Sequence, residues 1–197
     1  RAEAEAVRAE REARHAEWNA QRTARIRDFL RDTLLAAEDY RKNGKERTVS
    51  AVLDDASERL ATAFALDSDV RAELEDTIGN AYSKNGLLEK AEPLLVHALG
   101  WRRKELGADH AETIASQHNL GVLRFRQGRV DEAIGLLRDA FVLRTARLTA
   151  DDPDTLRSMT WLALALEEKG ELGQAEPLHR EALAVRRRIL GDRDPET

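Results

Sequence analysis

The sequence predicts an all-α chain: a helical solenoid preceded by a long helix. Three observations predict it. Ala, Leu, Glu and Arg dominate the 197 residues, and these are helix formers. No long stretch shows the period-two alternation of β-branched and aromatic residues that a half-buried strand needs. Small and apolar residues recur at a fixed step of 42 residues, the mark of stacked repeat units.

The first element is the N-terminal helix. No Gly or Pro occurs from Arg1 to Asn43, so one helix can run through most of that stretch, about 60 Å at 1.5 Å per residue. Ala2, Ala6, Ala9, Ala13, Ala16 and Ala20 alternate steps of four and three, a heptad seam. Residues 1–24 therefore read either as a dimerising stalk or as a solvated connector. Pairs such as Arg1/Glu5, Arg8/Glu12 and Glu10/Arg14 support the helix in both cases. Glu3, Glu10 and Glu17 flank one side of the seam, and Glu5 and Glu12 the other. Self-pairing would oppose like charges over a small alanine contact, which favours the connector.

Residues 25–69 follow as a degenerate helix pair capping the solenoid. Gly44, Leu53, Ala56 and Phe64 stand one 42-residue step before clearer copies. Those copies occupy residues 70–111, 112–153 and 154–197. Gly86, Gly128 and Gly170 align, as do Ala91, Ala133 and Ala175, then Ala98, Ala140 and Ala182, then Leu106, Leu148 and Leu190. The segments GADHAET, TADDPDT and GDRDPET end at Thr113, Thr155 and Thr197.

Each unit reads as two helices. In the second unit, the first helix runs from a cap before Thr113 to Arg126 and buries Leu120, Gly121 and Leu123, with Gly128 closing it. The second helix runs from about Asp131 to Arg147 and buries Ala133, Leu136, Leu137, Ala140, Phe141 and Leu148. Small residues at Gly79, Gly121 and Ala163 let helix axes approach. A pair this short cannot bury its apolar stripe alone; stacked neighbours complete it. Pro93 and Pro177, with Gly135 between them in register, predict that the second helix starts no earlier than about Lys90 and Gln174, or that its first turn is bent. A proline in a first turn has no hydrogen bond to lose.

These residues carry a resemblance. The pattern of small residue, Tyr82 or Leu166, Gly and Ala resembles the tetratricopeptide repeat. The 42-residue step with AEPLL, RR and LG is similar to the variant of kinesin light chains and many bacterial proteins. The resemblance spans about Val70 to Thr197 and implies a right-handed α-solenoid. Arg124 departs from Tyr82 and Leu166, and His179 from Leu95 and Leu137. The upstream segment, with FLRDTLLA and TVSAVLDDASERL, is similar to the region after the membrane helix of bacterial serine/threonine kinases with C-terminal tetratricopeptide repeats. That resemblance implies a non-catalytic interaction scaffold or sensor region, its kinase and membrane segments lying before Arg1. The alternative is the same module in another bacterial signalling or transcriptional regulator, for example one with a nucleotide-switch domain. The chain starts at Arg1 rather than Met and is read as a fragment. The expected location is the part beyond a membrane helix or, otherwise, the cytoplasm.

Composition narrows the function classes. A formal net charge of −5 disfavours a dedicated nucleic-acid binder. Cysteine is absent, so no disulfide or thiolate metal site exists. No apolar run approaches the roughly 18 residues of a spanning helix. Among His15, His97, His110, His118 and His179 there is no HExxH pattern or i,i+4 ligand pair. His110 reads as a loop or capping residue. No phosphate loop, dinucleotide fingerprint or nucleophile elbow occurs. The chain is therefore expected to have no catalytic residues, no metal and no cofactor.

Arg102-Arg103-Lys104, Arg144 with Arg147, and Arg186-Arg187-Arg188 end each second helix. They are read as charge that complements helix C-termini. The resemblance implies that the first helices line an inner groove. Its expected partner-binding residues are Asp76, Asn80, Lys84, His118, Asn119, Val122, Phe125, Arg126, Arg157 and Trp161. Some chaperone-binding members clamp a C-terminal carboxylate with Lys, Asn and Arg side chains. Asn80, Asn119 and Arg157 match three clamp positions, while Asp76 and Trp161 replace basic ones. The partner expected is a protein or extended peptide, without nucleic acid or direct membrane contact. At the last unit, Val185, Ile189 and Leu190 are expected to be partly uncovered. That implies further repeats in the parent or end-to-end packing, with stalk-mediated self-association as another route.

Overall fold

The computed structural model describes residues 2–42, 48–64, 68–149 and 151–191. Within them run α1 (Ala2–Lys42), α2 (Val49–Ala63), α3 (Ser68–Lys84), α4 (Leu88–Glu105), α5 (Ala111–Arg126), α6 (Val130–Arg147), α7 (Pro153–Glu168) and α8 (Leu172–Leu190). No strand occurs among the described residues, so the all-α expectation holds and the repeats form a helical solenoid. Gly44 and Thr197 lie outside the described residues, as do Arg1 and the side chains of Ala2, Glu3, Glu5, Ala6, His15 and Leu190.

Two compact units divide the chain, residues 1–74 and 75–197, with the division falling inside α3. In the first unit the unbroken α1 confirms the long helix expected from its lack of Gly and Pro. The Phe29 and Phe64 rings meet edge to face with centroids 5.6 Å apart, and Arg59 lies 5.6 Å over Phe29. Thr48 caps α2, its side chain accepting from the Ala51 amide at 3.2 Å. Arg22 pairs with Glu73 at 3.3 Å.

The second unit holds the stacked pairs. Each first helix ends in the same device, because the glycine after it takes positive φ: 77° at Gly86, 73° at Gly128 and 84° at Gly170. Such φ values let the chain fold back. The amides of Leu87, Arg129 and Glu171 then reach the carbonyls of Tyr82, Arg124 and Leu166 at 3.0, 2.9 and 2.8 Å. This is the Schellman closure, and it explains the glycine at every 42nd position. Helix starts are capped as well: His110 Nδ1 accepts from the Glu112 amide at 3.3 Å. Asp152 accepts from the amides of Asp154 and Thr155, with Pro153 in the first turn.

Close helix approach depends on glycine at two points. A Cβ on Gly79 would lie 2.9 Å from Leu95 Cγ, and one on Gly121 would lie 2.8 Å from Leu137 Cγ. In the third unit the register opposes Ala163 to His179 instead of a leucine. A methyl group is admitted there, and Ala163 is fully buried.

Four expectations need correction. Pro93 and Pro177 are not in the first turn, because α4 starts at Leu88 and α8 at Leu172. Both prolines, like Gly135, face solvent. Water can therefore satisfy the carbonyl that each missing N–H leaves unpaired. Leu148, expected in the core, is 44% exposed, since it follows the end of α6 in extended conformation with ψ 177°. Leu136 and Phe141 are half-buried rather than buried. Of the terminal apolar residues, Val185 is buried and Ile189 is 48% exposed.

Candidate functional site

The expected groove residues come from the last part of α3, from α5 and from α7. The structure divides them into three groups. The first is polar. Asp76 accepts from Asn119 Nδ2 at 3.0 Å and stands 3.3 Å from Arg102 Nη1. Its charge is offset by a buried guanidinium, so this acidic group is held by the protein itself. Asn119 in turn directs its amide N–H at Asp76.

The second group is aromatic and cationic. Phe125 and Trp161 meet edge to face with centroids 5.7 Å apart. The Arg126 guanidinium lies 5.7 Å from the Trp161 ring and donates to Ser83 Oγ at 3.2 Å. This links α3, α5 and α7 through side chains at their C-terminal and central turns. Both aromatic residues are half-buried, so each has packed and accessible surface. Arg157 is exposed and pairs with Asp154. With Trp161 it borders a cavity of about 470 Å³ between α7 and α8.

The third group is placed elsewhere. His118 and Val122 lie in the helix packing, 3% and 7% exposed, so the structure does not offer them to a ligand. Val122 belongs to the core between α5, α6 and α7. His118 Nδ1 meets Ser158 Oγ at 3.0 Å. Burial first, then the nearby Arg144 and Arg157, push the imidazole down to about 3, so it is neutral at pH 7. Asn80 is half-buried and Lys84 is exposed; neither is drawn into the two clusters.

The most informative polar residues were not expected. Arg102 and Arg144 are buried, 2% and 4% exposed, and both donate across a helix junction rather than to solvent near a helix end. Arg102 Nη1 reaches Ser116 Oγ at 2.5 Å, and Arg144 Nη1 reaches Ser158 Oγ at 2.7 Å. Their identical 42-residue spacing from each other, and that of the two serines, was the available signal. Arg124, a departure from the repeat pattern, is also buried. It pairs with Glu92 at 2.5 Å and donates to Gln127 Oε1 at 2.8 Å. The Gln127 hydrogen bond and the Arg124 guanidinium hold the Glu92 carboxyl below its usual value. An ion-pair cluster thus fills the place of Tyr82 and Leu166.

No group of three or more His, Cys, Asp or Glu among the described residues could hold a metal. No helix among them is long and apolar enough to cross a membrane.

Comparison with known proteins agrees with the helical repeat fold. A sequence profile described as "Tetratricopeptide repeat" matches residues 70–146 and 122–188. No curated protein matches the chain significantly. Among solved structures, two described as "Podosopora anserina putative kinesin light chain nearly identical TPR-like repeats", the first a single-substitution form, are similar. One has a TM-score of 0.59 and 23% identity, covering 90% of this chain and 92% of that one. The other has a TM-score of 0.58 and 23% identity, covering 92% and 94%. BtubC (BKLC) from P. vanneervenii aligns with a TM-score of 0.62 and 22% identity, over 81% of this chain and 64% of that chain. At these identities the likeness is one of fold.

Proposed function

We propose a role in protein–protein interaction from one premise: the chain belongs to the tetratricopeptide repeat family. The observation that carries this reading is the cluster of Phe125, Arg126 and Trp161. An aromatic pair with a guanidinium over one ring presents apolar area and charge together. Aromatic and arginine side chains are the usual energetic centres of protein interfaces. An extended peptide can pack an apolar side chain on the exposed part of Trp161 and set a carboxylate or carbonyl against Arg126. Asn119 and Asp76 lie in the same groove. Because Asn119 Nδ2 donates to Asp76, the pair is read as shaping the floor rather than as free anchors. The carboxylate-clamp version is less well supported, since Asp76 carries the opposite charge from the residue that such a clamp needs.

The module is read as non-catalytic. The larger parent is read as a bacterial serine/threonine protein kinase, on the resemblance of residues 1–60 alone, with this region lying beyond its membrane helix. A different signalling or transcriptional regulator is the alternative, which would leave the module in the cytoplasm. Sequence upstream of Arg1 decides between them: a kinase domain followed by a spanning helix supports the first, and a nucleotide-switch domain supports the second.

The interaction reading is tested on an array of random 12-residue peptides probed with the chain. Peptides retained by the wild type should lose most of their signal with Trp161→Ala and with Arg126→Ala. Retention of the same peptides by both variants would place binding elsewhere.

A further inference from the structure

The first helix of each stacked pair ends in a residue that glycine follows: Asn85 before Gly86, Gln127 before Gly128 and Lys169 before Gly170. The closure forms at all three, so it does not require asparagine. Asn85 is the one asparagine among the described residues with glycine after it. That order of residues carries its own chemistry. The main-chain nitrogen of the glycine, with no Cβ beside it, can attack the asparagine side-chain carbonyl carbon and close a cyclic imide. Gln127 would have to close a larger ring, which is far slower, and Lys169 has no side-chain amide.

The folded end of α3 engages both reacting groups. Asn85 Nδ2 donates to the Ala81 carbonyl at 2.8 Å, which turns the side chain back along the helix. The Gly86 N–H, which must lose its proton to attack, donates to the Ser83 carbonyl at 3.2 Å. The Leu87 amide, bonded to the Tyr82 carbonyl at 3.0 Å, pins the chain beyond Gly86. These bonds are nonetheless at the surface. Asn85 and Gly86 are exposed, and a Cβ on Gly86 would meet nothing within 4 Å. Exposed helix ends with few packed neighbours are where backbone hydrogen bonds open most readily.

We propose that Asn85 is a modification site, a deamidation site gated by the end of α3. When the closure opens, Gly86 N bonds to Asn85 Cγ. The Cγ–Nδ2 bond breaks, and ammonia leaves with the proton from Gly86 N. Water, the only co-reactant, then opens the imide at either carbonyl. One opening gives aspartate, the other isoaspartate, whose main chain runs through Cγ. Both products oppose re-closure. An aspartate carboxylate cannot donate to the Ala81 carbonyl, and it places negative charge at a helix C-terminus, where the macrodipole disfavours it. Isoaspartate lengthens the main chain just before Gly86, inside the set of bonds that closes the helix. Opening admits the modification and the modification keeps the end open, so Asn85 records how often this end of α3 has opened.

Mass spectrometry of the fragment containing Asn85 follows the amide-to-acid change in the full chain and in a synthetic peptide of residues 79–92. The native chain should react at least ten-fold more slowly than the peptide. Urea below the unfolding transition should raise the chain's rate towards that of the peptide in the same urea. Asn85→Gln, which keeps the amide donor, should leave the melting temperature unchanged. Asn85→Asp should lower it by about 2–4 °C. No mass gain at Asn85 in chain or peptide would overturn the site. Equal rates in chain and peptide, or a native rate that urea does not raise, would overturn the gating. Equal melting of the two variants would overturn the claim that the product keeps the end open.

Discussion

Arg144 Nη1 donates to Ser158 Oγ at 2.7 Å across the α6–α7 junction, and both residues are buried. The bond joins one helix pair to the next by a buried charge. Arg144→Ala should therefore destabilise the chain by about 3 kcal/mol, through lost packing and an orphaned serine and carbonyl. Arg186→Ala, at the same register position but half-buried, should cost less than about 1 kcal/mol. Urea unfolding of the two variants side by side checks the difference.

The same serine faces His118, whose proton affinity is depressed to about 3 by burial and by the nearby arginines. In the unfolded chain an imidazole titrates near 6.5. Between pH 6.5 and 3 the unfolded state binds the extra proton, so stability falls as pH drops through that window. From pH 7.5 to 5 the loss attributable to His118 is about 2 kcal/mol. His118→Gln should flatten stability against pH in this range, above the main carboxylate titrations. An unchanged slope would mean that the ring is not buried in its neutral form.

At Gly121 a methyl group would come within 2.8 Å of Leu137 Cγ. Gly121→Ala gains helix propensity but overpacks the α5–α6 contact. The net expectation is destabilisation by about 1–2 kcal/mol. The double variant with Leu137→Val should recover part of the packing loss. Thermal melts of the single and double variants read this directly.

Pro93 sits in the second turn of α4 on the solvent side. Replacing it by Ala restores an N–H that can bond within the helix. Pro93→Ala should stabilise the chain, by no more than about 3 kcal/mol. Lower stability would show that the proline ring itself packs usefully.

Much of this architecture was legible in the sequence, because its causes are local and repeated. The glycines at 86, 128 and 170 mark helix ends that need positive φ. The small residues at 79, 121 and 163 mark close helix approach. The prolines misled because a helix start was inferred from the cost of the missing N–H, while solvent exposure lowers that cost. His118 misled because its helical phase is that of an inner-face residue, but burial depends on how α7 packs on α5. Arg102 and Arg144 were read as surface charge because arginines near a helix C-terminus usually are. Only the neighbouring helix supplies Ser116 and Ser158. The pairing of Arg126 with Trp161 joins two units and has no signature within either one.

The groove is tested most directly by Trp161 itself. With Trp18→Phe and Trp101→Phe in place, Trp161 is the one tryptophan left of the three and becomes the reporter. Titration with a peptide selected on the array should shift its emission saturably, and Arg126→Ala should abolish the shift. Binding of that peptide with no change in Trp161 emission would contradict the groove as the interaction site.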